Sequence, residues 1–391
     1  MTKVEDDERN SVYEMGEIPF MVGPTLLPNN AEYLPNLLPF SYYCDQKYNV
    51  LRQYFSDEVE QFLQVAYEKG SILAIPMDVE GEGSFYLFDF LKFIEKTVSN
   101  LSDKEILEIG CGRGALVKIL QDKGAKTLGV EPGSSQNKYW EDNKINVVND
   151  FFPSEQIKGK FDVIIAFCVL EHIYETKKFI ESIMKQLSDE GQIILAVPNC
   201  EDQIENCDPS MFVHEHYSYF SRNSLAFYLR KLGLEVNDVT FGGYGGVIYM
   251  CAQKALELKN IENTKAENFE ISKFAQKLAS FVDYITQEVE DYNLKGKTLG
   301  IYCPSRAATT IPVGGKYRFF DDDPQVYGHF HPPFDCKIEN REDLLAQPVD
   351  VLWIFSYSFG DKIKDTLKGY SQLENTKILT LSELKGNEKY V

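Results

Sequence analysis

The stretch ILEIGCGRGALVKIL, Ile106 to Leu120, decides the fold. A short apolar run runs into three glycines, Gly110, Gly112 and Gly114, and apolar positions at helical spacing follow at once. Glycine suits such a turn because the backbone takes up unusual φ values there and a ligand can approach with no Cβ in the way. The helix behind it presents unpaired N–H groups and the positive end of its dipole. Strand, glycine turn and helix together predict a cradle for a small polar ligand.

Outward from this loop, from Phe85 to about Lys254, helix and strand alternate: FYLFDFLKFIEKTV reads as a helix, and KTLGVE, FDVIIAF and QIILAVPN read as short strands closed by turn signals. Such interleaving predicts an α/β fold, a Rossmann-like doubly wound parallel sheet covered on both faces. The loop alone leaves its ligand open. Gly110, Gly112 and Ala115 also fit the dinucleotide pattern, and Glu131 closes the strand KTLGVE where it can accept ribose hydroxyls, so a nicotinamide-dependent dehydrogenase is one alternative.

The flanks divide the chain further. Residues 1–84 are punctuated by Pro24, Pro28, Pro35 and Pro39 and predict an irregular segment with one or two helices, Val59, Phe62, Leu63 and Ala66 marking one of them, packed on the catalytic domain of 85–254. Between 255 and 294, Phe274, Leu278, Phe281, Ile285 and Val289 form an apolar stripe at helical period, which predicts a linking helix. Residues 295–391 start a fresh alternation, TLGIYC, YRFFDDD, VDVLWIFSY and TKILTL, and predict a second, smaller Rossmann-like α/β domain.

Composition narrows the partners. With 40 Lys plus Arg against 60 Asp plus Glu, the formal charge of -20 repels nucleic acid and anionic membrane surfaces at long range. Neither a signal-peptide layout nor a run of about 18 apolar residues is present, so a cytoplasmic location is expected. The 8 cysteines form no CxxC pair, so neither a disulfide framework nor a cysteine zinc site is signalled. The oligomeric state is left open by all of this.

A second stretch concentrates chemistry. In FVHEHYSYFS, His214 and His216 flank Glu215, in a chain that has only 5 histidines. It follows the strand LAVPN, and in a doubly wound sheet ligands collect beyond the carboxyl ends of strands. Three readings apply: metal ligands, a general base with a helper, or ordinary fold residues. No cysteine-rich partner supports a metal, so none is expected, and the repeated spacing at His329 and His331 is given no role. An imidazole with a pKa near neutrality suits proton removal from an acceptor, with Glu215 or a tyrosine orienting the ring.

Taken together, Glu108 in E-x-G-x-G-x-G, Glu131, FDVIIAFCVLEHI and LSDEGQIILAVPN resemble the class I S-adenosylmethionine-dependent methyltransferases, over about residues 85 to 255. The resemblance implies that S-adenosylmethionine is the cofactor, that Gly110, Gly112 and Gly114 pass beside its methionine part, and that Glu131 holds the ribose hydroxyls. It places Asn149 and Asp150 at the adenine, puts Cys168 and the loop Val169 to Ile173 near the sulfonium, and sets Glu108 behind the glycine loop.

A narrower resemblance rests on HEHYSYFS, LRKLGLEV, GGYGGVIYMCAQK, the long helix and GKTLGIYCPSRAAT, in that order. This run is similar to the sugar C-methyltransferases, which act on nucleotide-linked ketosugars. It implies His216 as the general base that generates an enolate, with Glu215 beside it; His214 in the same loop is a further catalytic candidate and Tyr217 a substrate contact, while Tyr302 and Arg306 are expected substrate contacts because the loop after the first strand of the last domain is the usual ligand edge. The chain departs from that family in three places: a family tyrosine falls on Val213, only Cys44 precedes Cys111 where a zinc module is usual, and CPSRAAT lacks the family's glycine turn. O- or N-methylation of another small molecule and a non-catalytic nucleotide-binding scaffold are the alternatives.

Overall fold

The computed structural model describes residues 12–20, 34–68, 77, 82–133, 137–205, 207–242, 245–256, 271–304, 306–324, 326–356 and 359–386. Along the chain, β1 (Tyr13–Pro19), β2 (Leu37–Asp45) and β3 (Val50–Gln53) precede the helices α1 (Asp57–Glu68) and α2 (Glu82–Thr97). Then come β4 (Glu105–Ile109), α3 (Ala115–Asp122), β5 (Lys126–Val130), α4 (Asn137–Asn143), β6 (Val147–Val148), β7 (Phe161–Phe167), α5 (Thr176–Gln186) and β8 (Leu187–Pro198). α6 (Glu201–Glu205), β9 (Ser218–Tyr219), α7 (Arg222–Lys231), β10 (Leu234–Gly242) and β11 (Val247–Lys254) lead to the long α8 (Ile271–Leu294). The last part holds β12 (Leu299–Tyr302), β13 (Tyr317–Phe320), β14 (Ile338–Glu339), α9 (Arg341–Ala346), β15 (Val351–Ile354), α10 (Gly360–Lys368), β16 (Lys377–Thr380) and α11 (Leu381–Lys385).

The described residues form two compact units, and neither is one consecutive stretch: 42–201 with 215–256 make the first, and 13–41, 202–214 and 271–386 make the second. The first is built on a sheet of order β10-β11-β8-β7-β4-β5-β6. From β6 to β8 the strands are parallel, and β11 runs antiparallel to both β8 and β10. Strands buried on both faces need apolar side chains pointing both ways. Ile164, Ile193 and Leu195 accordingly join the core on one face, while Val163, Ile165 and Ile194 join the core on the other. The order reverses between β4 and β7, which puts a ligand-binding crevice at their carboxyl ends.

The second unit carries a five-stranded, wholly parallel sheet, β14-β13-β12-β15-β16. The predicted apolar stripe is real: Phe274, Leu278, Phe281, Ile285 and Val289 are buried along α8. The sequence reading differs from the structure near the N-terminus, where LPFSYYCD and VLRQ pair as the antiparallel hairpin β2–β3. Their burial alternates, with Phe40, Tyr42 and Cys44 inside, because a two-residue period puts every second side chain on one face. The helical period begins only at α1.

Candidate active site

The glycine turn between β4 and α3 is built as its residue types require. Gly110, Gly112 and Gly114 have φ of 69°, 51° and 77°, a region costly for other side chains. At Gly110 an added Cβ stands 2.6 Å from the Val169 side chain, and at Gly114 it stands 2.9 Å from Ile145, so these two let neighbouring loops close in. At Gly112 nothing lies within 4 Å. That open ground is the part of the cradle a Cβ would fill.

Glu131, at the end of β5, ties the cradle together. Its carboxylate accepts the Gly112 N–H at 3.0 Å through one oxygen and the Gly133 N–H at 2.9 Å through the other. A carboxylate offers roughly four acceptor positions, so two remain for a ligand's vicinal hydroxyls. The indole N–H of Trp140 donates to Gly112 O at 3.0 Å, which fixes the turn from its other side. These residues fit a nucleoside-bearing cofactor.

Behind the turn, Glu108 is 1% exposed, and burial, reinforced by the nearby Glu131 charge, pushes its carboxyl up to about 8. A neutral acid at this point carries no charge into the apolar interior. Asn149 donates to Glu131 O at 2.8 Å and Pro132 O at 3.1 Å, so its amide nitrogen serves the loop that carries Glu131. Asp150 accepts from Ser154 Oγ, Phe151 N–H and Gln156 Nε2, bonds that organise its own loop and hold its carboxyl below the ordinary value. Cys168 ends β7 with φ of 50° and donates its N–H to Ala196 O at 2.8 Å.

The second cluster lies on the loops after β7 and β8. A 3-10 turn, Leu170–His172, follows β7, and Tyr217 N–H donates to Glu171 O at 2.7 Å, joining the two loops. The His172 ring shares a hydrogen bond of 3.0 Å between Nδ1 and Glu215 O. A backbone carbonyl only accepts, so Nδ1 carries a proton. The rings of His172 and His216 meet edge to face with centroids 4.8 Å apart, and one ligand atom from each of Glu171, His172 and His216 falls within 4.8 Å of the others. Glu171 and His172 were read from sequence only as part of the loop bordering the sulfonium; VLEHI, ending a buried strand with its own Glu-His pair, was the signal for a larger role.

Other expected site residues have partners of their own. His214 belongs to the second unit, where it is fully buried against the rings of Phe20 and Phe40, bonds Ile18 O at 3.4 Å, and has its pKa lowered by burial to about 4. It is therefore a neutral packing residue in this structure. Tyr217 is 2% exposed and its hydroxyl donates to Glu60 of α1; burial raises its pKa. The phenol thus ties the loop after β8 to α1. Tyr302 is wholly buried, with its hydroxyl donated to Asp322 at 2.7 Å and accepting from Arg341 at 3.2 Å. The Arg306 backbone opens a 3-10 turn, Arg306–Thr310, and its side chain lies outside the described residues.

Residues 84–239, the parallel strands β4 to β8 and both clusters included, match the family model described as a methyltransferase domain. These residues form a methyltransferase domain of the class I, S-adenosylmethionine-dependent type. S-adenosylmethionine is the cofactor of this methyltransferase, and the nicotinamide alternative falls away. It is similar to the C-methyltransferase NovU of Streptomyces niveus, with 23% identity over 69% of this chain and 70% of that protein. It is also similar to the ubiquinone biosynthesis O-methyltransferase of Pseudomonas aeruginosa, 23% identical over 41% of this chain and 75% of that one. Among solved structures, the 1,6-didemethyltoxoflavin-N1-methyltransferase of Burkholderia thailandensis aligns with 14% identity and a TM-score of 0.39, covering 55% of this chain and 98% of that one. No helix among the described residues of the methyltransferase is long and apolar enough to cross a membrane.

Proposed function

We propose that this methyltransferase methylates a carbon next to a ketone in a small biosynthetic acceptor, a nucleotide-linked ketosugar, with His216 as the general base. The observation that carries the reading is the meeting of His216 with His172 and Glu171 at the carboxyl ends of β7 and β8, in the same unit as the glycine cradle. The similarity to a C-methyltransferase over 69% of the chain supports carbon as the acceptor atom, and the order of parts in the sequence supports a sugar.

S-adenosylmethionine supplies an electrophilic methyl group on a sulfonium when bound. The open ground at Gly112 would take its methionine part, and the carboxylate of Glu131, which already accepts the Gly112 and Gly133 N–H groups, would take the ribose hydroxyls. His216 would take the proton from the acceptor carbon, leaving on that carbon the electron pair to which the bound donor would supply its methyl group. His172, its Nδ1–H held by Glu215 O, keeps a fixed edge toward that proton transfer, and the adjacent Glu171 favours the charge that develops on an imidazole.

Transfer to an oxygen is the second reading, favoured by the similarity to the ubiquinone biosynthesis O-methyltransferase. There, positioning of the acceptor carries more of the rate and the base less. The test is turnover and product analysis of His216→Ala. Turnover falling by about 100-fold or more with unchanged S-adenosylhomocysteine affinity, and a product methyl on carbon, is expected. Full activity of the variant overturns the base, and a methyl on oxygen overturns the carbon reading.

A further inference from the structure

We propose that Glu171, His172 and His216 form a binding site for a divalent transition-metal ion of the zinc type. Two imidazoles and a carboxylate are a donor set that such ions take, with one coordination position left open. The three side chains come from the loops after two neighbouring strands, and their candidate ligand atoms lie within 4.8 Å of one another. Around a tetrahedral ion, ligand atoms stand about 3.3 Å apart, so side-chain rotations of about 1 Å bring these three into place.

A second observation points the same way. Imidazoles that bind metals almost always donate their other ring N–H to a carboxylate or a backbone carbonyl, which fixes the tautomer and the orientation of the ring. His172 does this, with Nδ1 3.0 Å from Glu215 O and Nε2 on the side of Glu171, 3.9 Å from its Oε1. Glu171 is 1% exposed and His216 is 8% exposed, so an ion there is shielded from competing water. Zinc and cobalt fit this set; magnesium and calcium, which prefer oxygen ligands, do not.

The consequence reaches the chemistry above. A lone pair of His216 given to an ion is not available to a proton, so the loaded site is held off from base catalysis. Metal occupancy is therefore a means of inhibition at the same residues.

The test is titration of the chelator-treated full chain with cobalt(II), followed by its visible d–d absorption, in the parent and in His172→Ala and Glu171→Gln. The expected result is absorption saturating at one ion per chain, displaced by zinc, with affinity at least tenfold weaker in each variant. No cobalt-dependent absorption in the parent, or equal affinity in all three proteins, overturns the proposal. Calorimetry with S-adenosylhomocysteine checks that the variants are folded, and His172→Gln replaces His172→Ala if that protein is not. The base reading fails separately: full activity of metal-free His216→Ala removes it and leaves the ion site standing.

Discussion

Two of the three sheets among the described residues share one order over five strands and put it to different use. Numbered within each unit, β6-β5-β4-β7-β8 and β14-β13-β12-β15-β16 both read 3-2-1-4-5, and both are parallel. In the first unit the loop after the first strand carries Gly110, Gly112 and Gly114 and has open ground at Gly112. In the second the same loop begins CPSRAAT, and the strand before it ends in Tyr302, whose hydroxyl is shared with Asp322 and Arg341. Arg341 also reaches Tyr370 and pairs with Asp322. Topology offers a crevice in both places, and the residues at its rim decide whether a ligand finds room.

The largest effect expected from this contrast is at Gly112. A valine there meets an unfavourable φ and projects into the cradle, so Gly112→Val should weaken S-adenosylhomocysteine binding by about 100-fold, roughly 2.7 kcal/mol, by calorimetry. Near-parental affinity would place the cofactor elsewhere. Because an added Cβ has nothing within 4 Å, the folded structure should survive the change.

An intermediate effect is expected at Glu108, through pH. Burial raises its folded-state pKa from 4.5 to about 8, so between these values the folded chain holds a proton that the unfolded chain has released. Stability from this group is fully present below about pH 4.5, declines as pH rises and levels off above about pH 8. Glu108→Gln should remove that decline and gain on the parent at pH 8 to 9 by an amount on the order of a few kcal/mol, seen as a Tm difference that grows with pH. A Tm difference that does not change with pH would contradict it.

The smallest effect is expected in the second unit. Tyr302→Phe removes one hydroxyl from the Asp322–Arg341 network and should cost about 1 kcal/mol of stability in denaturant unfolding. Donor affinity should stay within about twofold. A large loss of donor binding would show that the second unit's rim takes part in the cofactor site.

Much of the fold was legible where its signals are local. Gly110, Gly112 and Gly114 announce a turn that only glycine makes at no cost, and the apolar stripe from Phe274 to Val289 announces α8 by its period. The β2–β3 hairpin was obscured by aromatic residues that suit either a helix or a strand face. The Glu171–His172–His216 grouping depends on tertiary structure: His172 and Glu215, joined by a hydrogen bond, are 43 residues apart in the chain. Tyr302 and Tyr217 misled for a related reason. A tyrosine after a strand looks the same in sequence whether its hydroxyl faces a ligand or a buried carboxylate such as Glu60.

The most direct test of the central claim is calorimetric titration of the full chain with S-adenosylhomocysteine, with a nicotinamide dinucleotide as the control. The account predicts saturable binding at one site per chain and none of the dinucleotide. Absence of binding to S-adenosylhomocysteine would contradict the assignment of the glycine cradle and of Glu131.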